Sequence, residues 1–298
     1  MAAGLSAIGT GFCKHVGEAQ KRAVNSVGNS VVNKESQAII SGNSESFQPY
    51  LGFKQVSISF GSNVVLDRVS FTAMSGETLC IMGRSGVGKS VCLRILMGFL
   101  KPDSGRVIVA GEDITDFSEE QLDRIRKKVT MVFQSGALFD SLSVGENVAF
   151  ALRERGELSE MQINERVASL LGMVGIGEIR NQFPADISTG MRRSVAIARA
   201  LAENPKAVLY DEPTTMVDPL MTRRLGNLIA RFKAQLKLTS IVVTHDTRLA
   251  ERLADQVLFL DQGKILFFGT AGEMERSSEP LVKEFLKDDQ LGLHLFNE

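Results

Sequence analysis

The sequence predicts an α/β fold, with a parallel-sheet core built around a glycine-rich turn, an antiparallel β subdomain before it and a helical insertion within it. Three observations predict this. Gly83-Arg84-Ser85-Gly86-Val87-Gly88-Lys89-Ser90 has P-loop spacing and follows an apolar run, Thr78 to Met82, that reads as a buried strand. Apolar and polar residues alternate between Phe53 and Phe71, as in half-buried strands. Further apolar runs, Ala207 to Tyr210 and Ile241 to Thr244, end abruptly in polar residues, and helix-start signals crowd the stretch 135–187.

Each residue type in the glycine turn has a physical reason to be there. Glycines 83, 86 and 88 let the backbone turn with its N–H groups inward, which makes a concave anion site. The helix starting near Gly88 adds the positive end of its dipole, and its apolar face carries Val91, Leu93, Ile95 and Leu96. Lys89 can reach the outer phosphates of a nucleotide as a point charge, and the Ser90 hydroxyl suits a magnesium ion.

Composition narrows the classes. A chain of 298 residues can bury a sizeable core, and its net charge of −1 gives no bulk attraction to nucleic acid or anionic membrane. Cys13, Cys80 and Cys92 have neither paired nor metal-type spacing, which favours a reduced, intracellular setting. No stretch approaches the eighteen or so apolar residues of a membrane helix, so any work at a membrane is expected to go through a partner.

Residues 1–47 are rich in Ser, Asn, Gly and Ala and read as a mobile extension. Val16, Ala19, Ala23, Val27 and Val31 leave a weak amphipathic helix open. A cleavable targeting peptide is opposed by the near balance of acidic and basic residues. From Phe53 the hairpin begins, with Val56, Ile58 and Phe60 expected on one face and a turn at Gly61-Ser62-Asn63. Phe60 either stacks on a flat base, a contact worth about 1–3 kcal/mol by analogy with base stacking, or is an ordinary core aromatic.

After the glycine-turn helix come a break at Lys101–Gly105, a strand at Val107–Val109, a helix near Ser118–Arg126, and a strand Val129–Phe133 that ends at Gln134. A polar residue at the end of a buried strand lies where open α/β sheets bind ligands. Ser143…Glu146 and Ser159…Gln162 read as capping boxes opening helices to about Arg155 and Met173 within the insertion, 135–187. The apolar lip Leu138-Phe139 suits docking of another protein. Ser188 is a natural N-cap for a helix running through Leu201, whose start is a second potential phosphate site.

The run Lys206–Tyr210 reads as a buried parallel strand ending in Asp211 and Glu212. Adjacent acids at that end are costly unless they serve an ion or a reaction. Strand alternation points them to opposite faces, so Asp211 suits magnesium and Glu212 the attacking water. Asp218-Pro219 opens a helix to about Leu236, and the strand Ile241–Thr244 ends at His245, placed to hydrogen-bond a terminal phosphate. Val257–Leu260 and Ile265–Phe268 make a closing hairpin, and Thr270…Glu273 caps a C-terminal helical segment, 271–298.

Taken in order, the glycine turn, Gln134, Ser188-Thr189-Gly190, Asp211-Glu212, Asp218 and His245 resemble the nucleotide-binding subunit of ABC transporters from about Phe53 to Gly269. The resemblance implies a P-loop NTPase core over residues 48–270, with ATP and Mg²⁺ as ligands. It implies that Phe60 stacks on adenine, that 83–91 (Gly83, Arg84, Ser85, Gly86, Val87, Gly88, Lys89, Ser90, Val91) wrap the phosphates, and that Ser90, Gln134 and Asp211 serve the metal. Glu212, His245 and Lys89 are then the catalytic groups. Ser188 and Gly190 belong to a signature that contacts ATP across a dimer of two copies, and Asp218 to the loop beside it.

Two departures from the family pattern fall at that dimer seam, Thr189 in place of a glycine and Met216 in place of a small residue. A narrower likeness, to the ATPase of the Mla/Mce phospholipid-transport systems and a chloroplast relative, rests on Gly136-Ala137-Leu138-Phe139, Glu146–Phe150, Met191 and the ending Glu279–Leu286. It implies a membrane permease and an Mce-type substrate-binding protein as partners. It also implies a peripheral place on the cytoplasmic face of an inner membrane or the plastid inner envelope, with no nucleic acid and no direct membrane insertion. Rival readings are an importer ATPase for amino acids or other small solutes, a soluble mechanical ATPase, and a non-hydrolysing assembly subunit.

Overall fold

The computed structural model describes residues 49–294. The N-terminal extension and Cys13 lie outside them. Two sheets are stacked. The smaller is antiparallel, in the order β2-β1-β4-β5, from β1 (Leu51–Phe60), β2 (Asn63–Ala73), β4 (Ser104–Val109) and β5 (Glu112–Asp113). The larger has the order β10-β9-β3-β8-β7-β6, from β3 (Thr78–Met82), β6 (Val129–Val132), β7 (Ala207–Asp211), β8 (Thr239–Val243), β9 (Gln256–Asp261) and β10 (Lys264–Gly269). All its pairings are parallel except β9 with β10, the hairpin expected at the end of the core.

The apolar runs of β3, β7, β8 and β9 are continuous because both faces of this sheet are buried. Leu79, Ile81, Leu209, Ile241, Val243 and Leu258 face the antiparallel sheet, α1 (Lys89–Leu96) and α2 (Glu119–Arg126). Cys80, Met82, Val208, Tyr210, Val242 and Phe259 face the other way. There they meet the helical insertion, α3 (Val144–Arg155) and α4 (Glu160–Met173), with α5 (Thr189–Leu201), α6 (Pro219–Leu236) and α7 (Thr247–Leu253). Cys80 and Cys92 are buried free thiols, both pushed up to about 12 by burial.

Local chemistry sets the helix starts. Ser143 and Ser159 form the capping boxes read from the sequence, Asp218 caps α6 with Pro219 at its first position, and Ser118 with Gln121 adds a third box. Past the core, α8 (Ala271–Glu275), capped by Thr270, and α9 (Pro280–His294) lie back on the helical side. Val282 and Phe285 of α9 are buried there, with the Phe285 ring 5.0 Å from that of Phe259. Glu284 of α9 pairs with Arg84 of the glycine turn at 2.9 Å, and Asp289 accepts from Thr247.

The structure corrects two sequence expectations. Val56 and Ile58 are buried, but Phe60 is 49% exposed and so is not an ordinary core aromatic. The register of β1 against β2 shifts between Ile58 and Ser59 with the extra residue, Val65, on β2, and Phe60 is the last residue of β1, opposite Asn63. Leu138 packs partly against the helical core, so the apolar lip is carried by Phe139 instead.

Candidate active site

Four parallel strands end at one edge of the larger sheet, and each contributes a segment: β3 the glycine turn, β8 His245, β7 Asp211 and Glu212, and β6 Gln134. This is the edge where open α/β sheets bind ligands. The turn has a shape only glycine permits at two points. Gly83 has φ +143 and lies against the Leu260 carbonyl, and Gly88 has φ +103 and lies against Val65 and Leu66 of β2. Gly88 is also the N-cap of α1 and offers no side-chain cap, so the first N–H groups of that helix keep their donor capacity for an anion. Ser85 and Gly86 are exposed, whereas Val87 and Val91 pack partly against the core.

The two halves of the site touch. The Ser90 hydroxyl donates to Asp211 Oδ1 at 2.7 Å, and Lys89 Nζ stands 3.6 Å from Glu212 Oε1. Lys89 is almost wholly buried and donates to the carbonyls of Gly83 and Arg84 at 2.8 and 3.0 Å. Burial pushes its ammonium down, against the charge and hydrogen bond of Glu212. Burial likewise pushes the Asp211 carboxyl up, and its bond from Ser90 opposes this.

Glu212 sits one residue beyond β7 with φ +47, a left-handed conformation unusual outside glycine. That backbone turn, and not strand alternation, separates its partners from those of Asp211. Its Oε2 meets His245 Nδ1 at 2.9 Å and accepts from Thr215 Oγ1 at 3.1 Å. Burial pushes the Glu212 carboxyl up, but the His245 bond, the charges of His245 and Lys89, and the Thr215 bond outweigh it and leave it below the ordinary range. The same bond to Glu212 raises His245 above its ordinary 6.5, against burial.

These directions set the pH window of the contact. The raised His245 stabilises the folded chain fully below its unfolded value, and that share is lost as pH climbs through the folded one. The lowered Glu212 contributes above its unfolded value and loses its share as pH falls through the folded one. Glu212→Gln is expected to drop His245 below 6.5, because burial and Lys89 both push it down and only Asp246 then pushes up. Proton NMR titration of the imidazole reads this directly, and a His245 pKa unmoved by the substitution would contradict the contact.

Other residues singled out in the sequence fall in two places. Gln134 is exposed at the same edge and makes no hydrogen bond among the described residues. Phe60 is exposed at the end of β1, on the hairpin whose second strand abuts Gly88. Ser188 caps α5, accepting from Met191 N–H at 3.2 Å, and Asp218 caps α6, accepting from Met221 N–H at 3.0 Å. Gly190 joins these two caps, since a Cβ on it would lie 2.6 Å from Met221 Cε. No hydrogen bond or ion pair among the described residues ties this second group to Lys89 or Ser90. Met216, 88% exposed with φ +60, and exposed Thr189 lie near it in sequence.

Sequence reasoning missed Thr215, Arg193, Arg199 and Asn147. Asn147 is fully buried and fixes the 139–143 turn, accepting from Phe139 N–H and donating to the carbonyls of Phe139, Leu142 and Ser143. Arg199 donates to the carbonyls of Gly136 and Ala137 at 3.0 and 2.7 Å and lies 5.9 Å from the Phe139 ring. For Arg193 and Arg199 the available signal was three arginines, Arg192 included, in a helix otherwise mostly apolar.

An oxygen-only pair, a hydroxyl beside a carboxylate, suits a hard cation such as Mg²⁺, so Ser90 and Asp211 fit that ion. A family model described as ABC transporter matches residues 66–215. The probable ribonucleotide transport ATP-binding protein mkl of Mycobacterium tuberculosis (strain ATCC 25618 / H37Rv) is 38% identical over 234 residues, 78% of this chain and 65% of that relative. The chain thus spans slightly less than two thirds of mkl. The methionine import ATP-binding protein MetN 2 of Pseudomonas entomophila is 39% identical over 226 residues, 76% of this chain and 68% of MetN 2. The intermembrane phospholipid transport system ATP-binding protein MlaF of Haemophilus influenzae is 36% identical over 245 residues, 82% of this chain and 93% of MlaF. Among solved structures, a dimeric post-hydrolysis state of the ATP-binding cassette MJ0796, bound to ADP and Pi, is similar. It has a TM-score of 0.69 and 30% identity over 74% of this chain and 98% of that one.

Proposed function

Because this chain belongs to the ABC transporter ATP-binding family, whose cassettes bind and hydrolyse ATP, we propose that it works as one of two copies driving a separate membrane permease that moves phospholipid between membranes. The observation that carries the ATPase reading is the contact of the glycine turn with the acid pair, Ser90 to Asp211 and Lys89 to Glu212. For phospholipid, the support is that the match to MlaF extends over 93% of that relative, against 65% of mkl and 68% of MetN 2. The second reading, an importer ATPase for a small solute, is supported by the 39% identity to MetN 2.

The residues divide the work. The turn's N–H groups, Lys89 and the start of α1 orient the phosphates and offset their charge. Ser90 and Asp211, with Gln134 beside them, would hold the magnesium ion, which neutralises charge on the transferring phosphoryl group. Glu212, fixed by His245 and Thr215, orients or activates the attacking water. Phe60 offers its exposed ring to the base. Ser188, Gly190 and Asp218 serve the site of the other copy, which explains why they stand apart from Lys89 in one chain. Closure of the pair and its release after hydrolysis supply the motion. An Mce-type protein is the expected third component. No helix among the described residues is long and apolar enough to cross a membrane, so the chain is assigned a peripheral place on the permease.

The docking surface is assigned to Phe139, 44% exposed and packed against Phe150 with ring centroids 4.7 Å apart and planes tilted by 44°. Copurification from detergent-solubilised membranes, with mass spectrometry of the bound protein and lipid, tests the reading. A permease with phospholipid supports it, and a permease with a small-solute receptor and no lipid contradicts it. Phe139→Asp is expected to abolish capture of the permease and change ATP affinity less than about twofold, since Asn147 and Arg199 hold the turn's backbone. Undiminished capture would remove Phe139 from the interface.

A further inference from the structure

We propose that Arg193 is a positioning residue for hydrolysis, bridging the Gln134 turn and the Glu212 turn through their backbone carbonyls. The side chain projects from α5 into a place where a cation is costly, since Arg193 is only 5% exposed and has no carboxylate partner among the described residues. Burial, and the neighbouring Arg192, push its pKa down. Its Nη1 donates to the Phe133 carbonyl, immediately before Gln134, at 3.5 Å. Its Nη2 donates to the Thr215 carbonyl at 3.4 Å. Both bonds are long, and its Nε is buried with no partner, so the fork keeps donor capacity in reserve.

What the fork holds decides the role. Thr215 donates its hydroxyl to Glu212 Oε2 and its N–H to the Glu212 carbonyl, so a shift at Thr215 moves the carboxylate. Six residues along α5, Arg199 grips the carbonyls of Gly136 and Ala137 in the same segment that follows Gln134. The helix capped by Ser188 therefore holds both the metal-side turn and the water-side turn. An arginine suits this because one planar group reaches two carbonyls in fixed geometry. A stability role alone is a poor account of it, because an apolar side chain of similar volume avoids the cost of burying the charge.

The proposal rests on the assignment of Glu212 given above. In the full-length chain with excess Mg²⁺, Arg193→Met is expected to lower kcat for ATP by about tenfold or more, with the dissociation constant of a fluorescent ATP analogue changed less than about twofold. Arg193→Lys, which keeps the charge but not the planar fork, is expected to lose at least about threefold and to fold even if the Met variant does not. Thr215→Val combined with Arg193→Met is expected to cost little more than the worse single change, because both act on one carboxylate. Wild-type kcat in the Lys variant, a loss of affinity equal to the loss of kcat, or multiplying losses in the double variant would each overturn the proposal. Glu212→Gln in the same assay separates the claims. Unchanged turnover there overturns the Glu212 assignment and this proposal with it, whereas a fall with Glu212→Gln and none with Arg193→Met overturns this proposal alone.

Discussion

Glu212→Gln is expected to lower ATP turnover by about 100-fold or more and to leave ATP affinity within about twofold, the scale of losing a positioned general base. The two side chains have the same shape, and an amide still meets His245 and Thr215, so the φ +47 turn and its contacts survive. What disappears is the negative charge to which activation of the water is assigned. Alanine is a poorer test, because it also removes the group that meets His245 and Thr215 and leaves a void beside buried Lys89, which confounds catalysis with stability. Phosphate release measured beside equilibrium nucleotide binding separates the two quantities. Equal turnover in wild type and variant would mean that the carboxylate does not act on the water.

Gly83→Ala is the substitution expected to cost most in the binding turn. Its φ of +143 is one that side chains rarely adopt, and a Cβ there would lie 2.2 Å from the Leu260 carbonyl oxygen. Neither atom can yield cheaply, since β3 and β9 are paired up to Met82 and Phe259. Strain at one such residue is about 1–3 kcal/mol, and the backbone clash adds to it. The turn must therefore rebuild, with ATP affinity lost by about 100-fold or more and a lower melting temperature. Gly86 gives the contrast, because its φ is +83 but no atom lies within 4 Å of a Cβ there. Gly86→Ala is expected to lower stability by only about 1–2 kcal/mol, the left-handed penalty alone. Similar melting temperatures for the two variants would contradict the geometry described for Gly83.

Where the sequence was legible, one local rule decided the matter. Continuous apolar runs marked β3, β7 and β8 because both faces of the sheet are covered. Ser143, Ser159 and Asp218 announced their helices because capping needs only residues three apart. The convergence of Ser90 with Asp211 was legible because P-loop chemistry needs an acid at the end of a core strand.

What escaped depends on contacts made across the fold. β5 is only Glu112 and Asp113, too short for periodicity, and exists because β4 offers it an edge. Phe60 was open to two readings because alternation gives a face but not a depth, and its 49% exposure at the end of β1 is set by what the rest of the fold leaves uncovered. Arg193 and Thr215 are ordinary letters until α5 packs beside the turns at Phe133 and Glu212. Strand alternation was expected to direct Asp211 and Glu212 to different partners; the structure gives them different partners, Ser90 and His245, through a left-handed residue at 212.

The claim on which the account depends is that the turn at 83–90 and the acids at 211 and 212 serve a single nucleotide. A crystal structure of Glu212→Gln with Mn²⁺ and ATP measures it most directly, because the ion is located by its own anomalous signal. The account predicts phosphates within the 83–90 turn and one ion beside the Ser90 hydroxyl, linked to Asp211 directly or through a water, with position 212 facing the terminal phosphate. A nucleotide seated in the turn, with its ion remote from Asp211 and position 212 directed elsewhere, would contradict it.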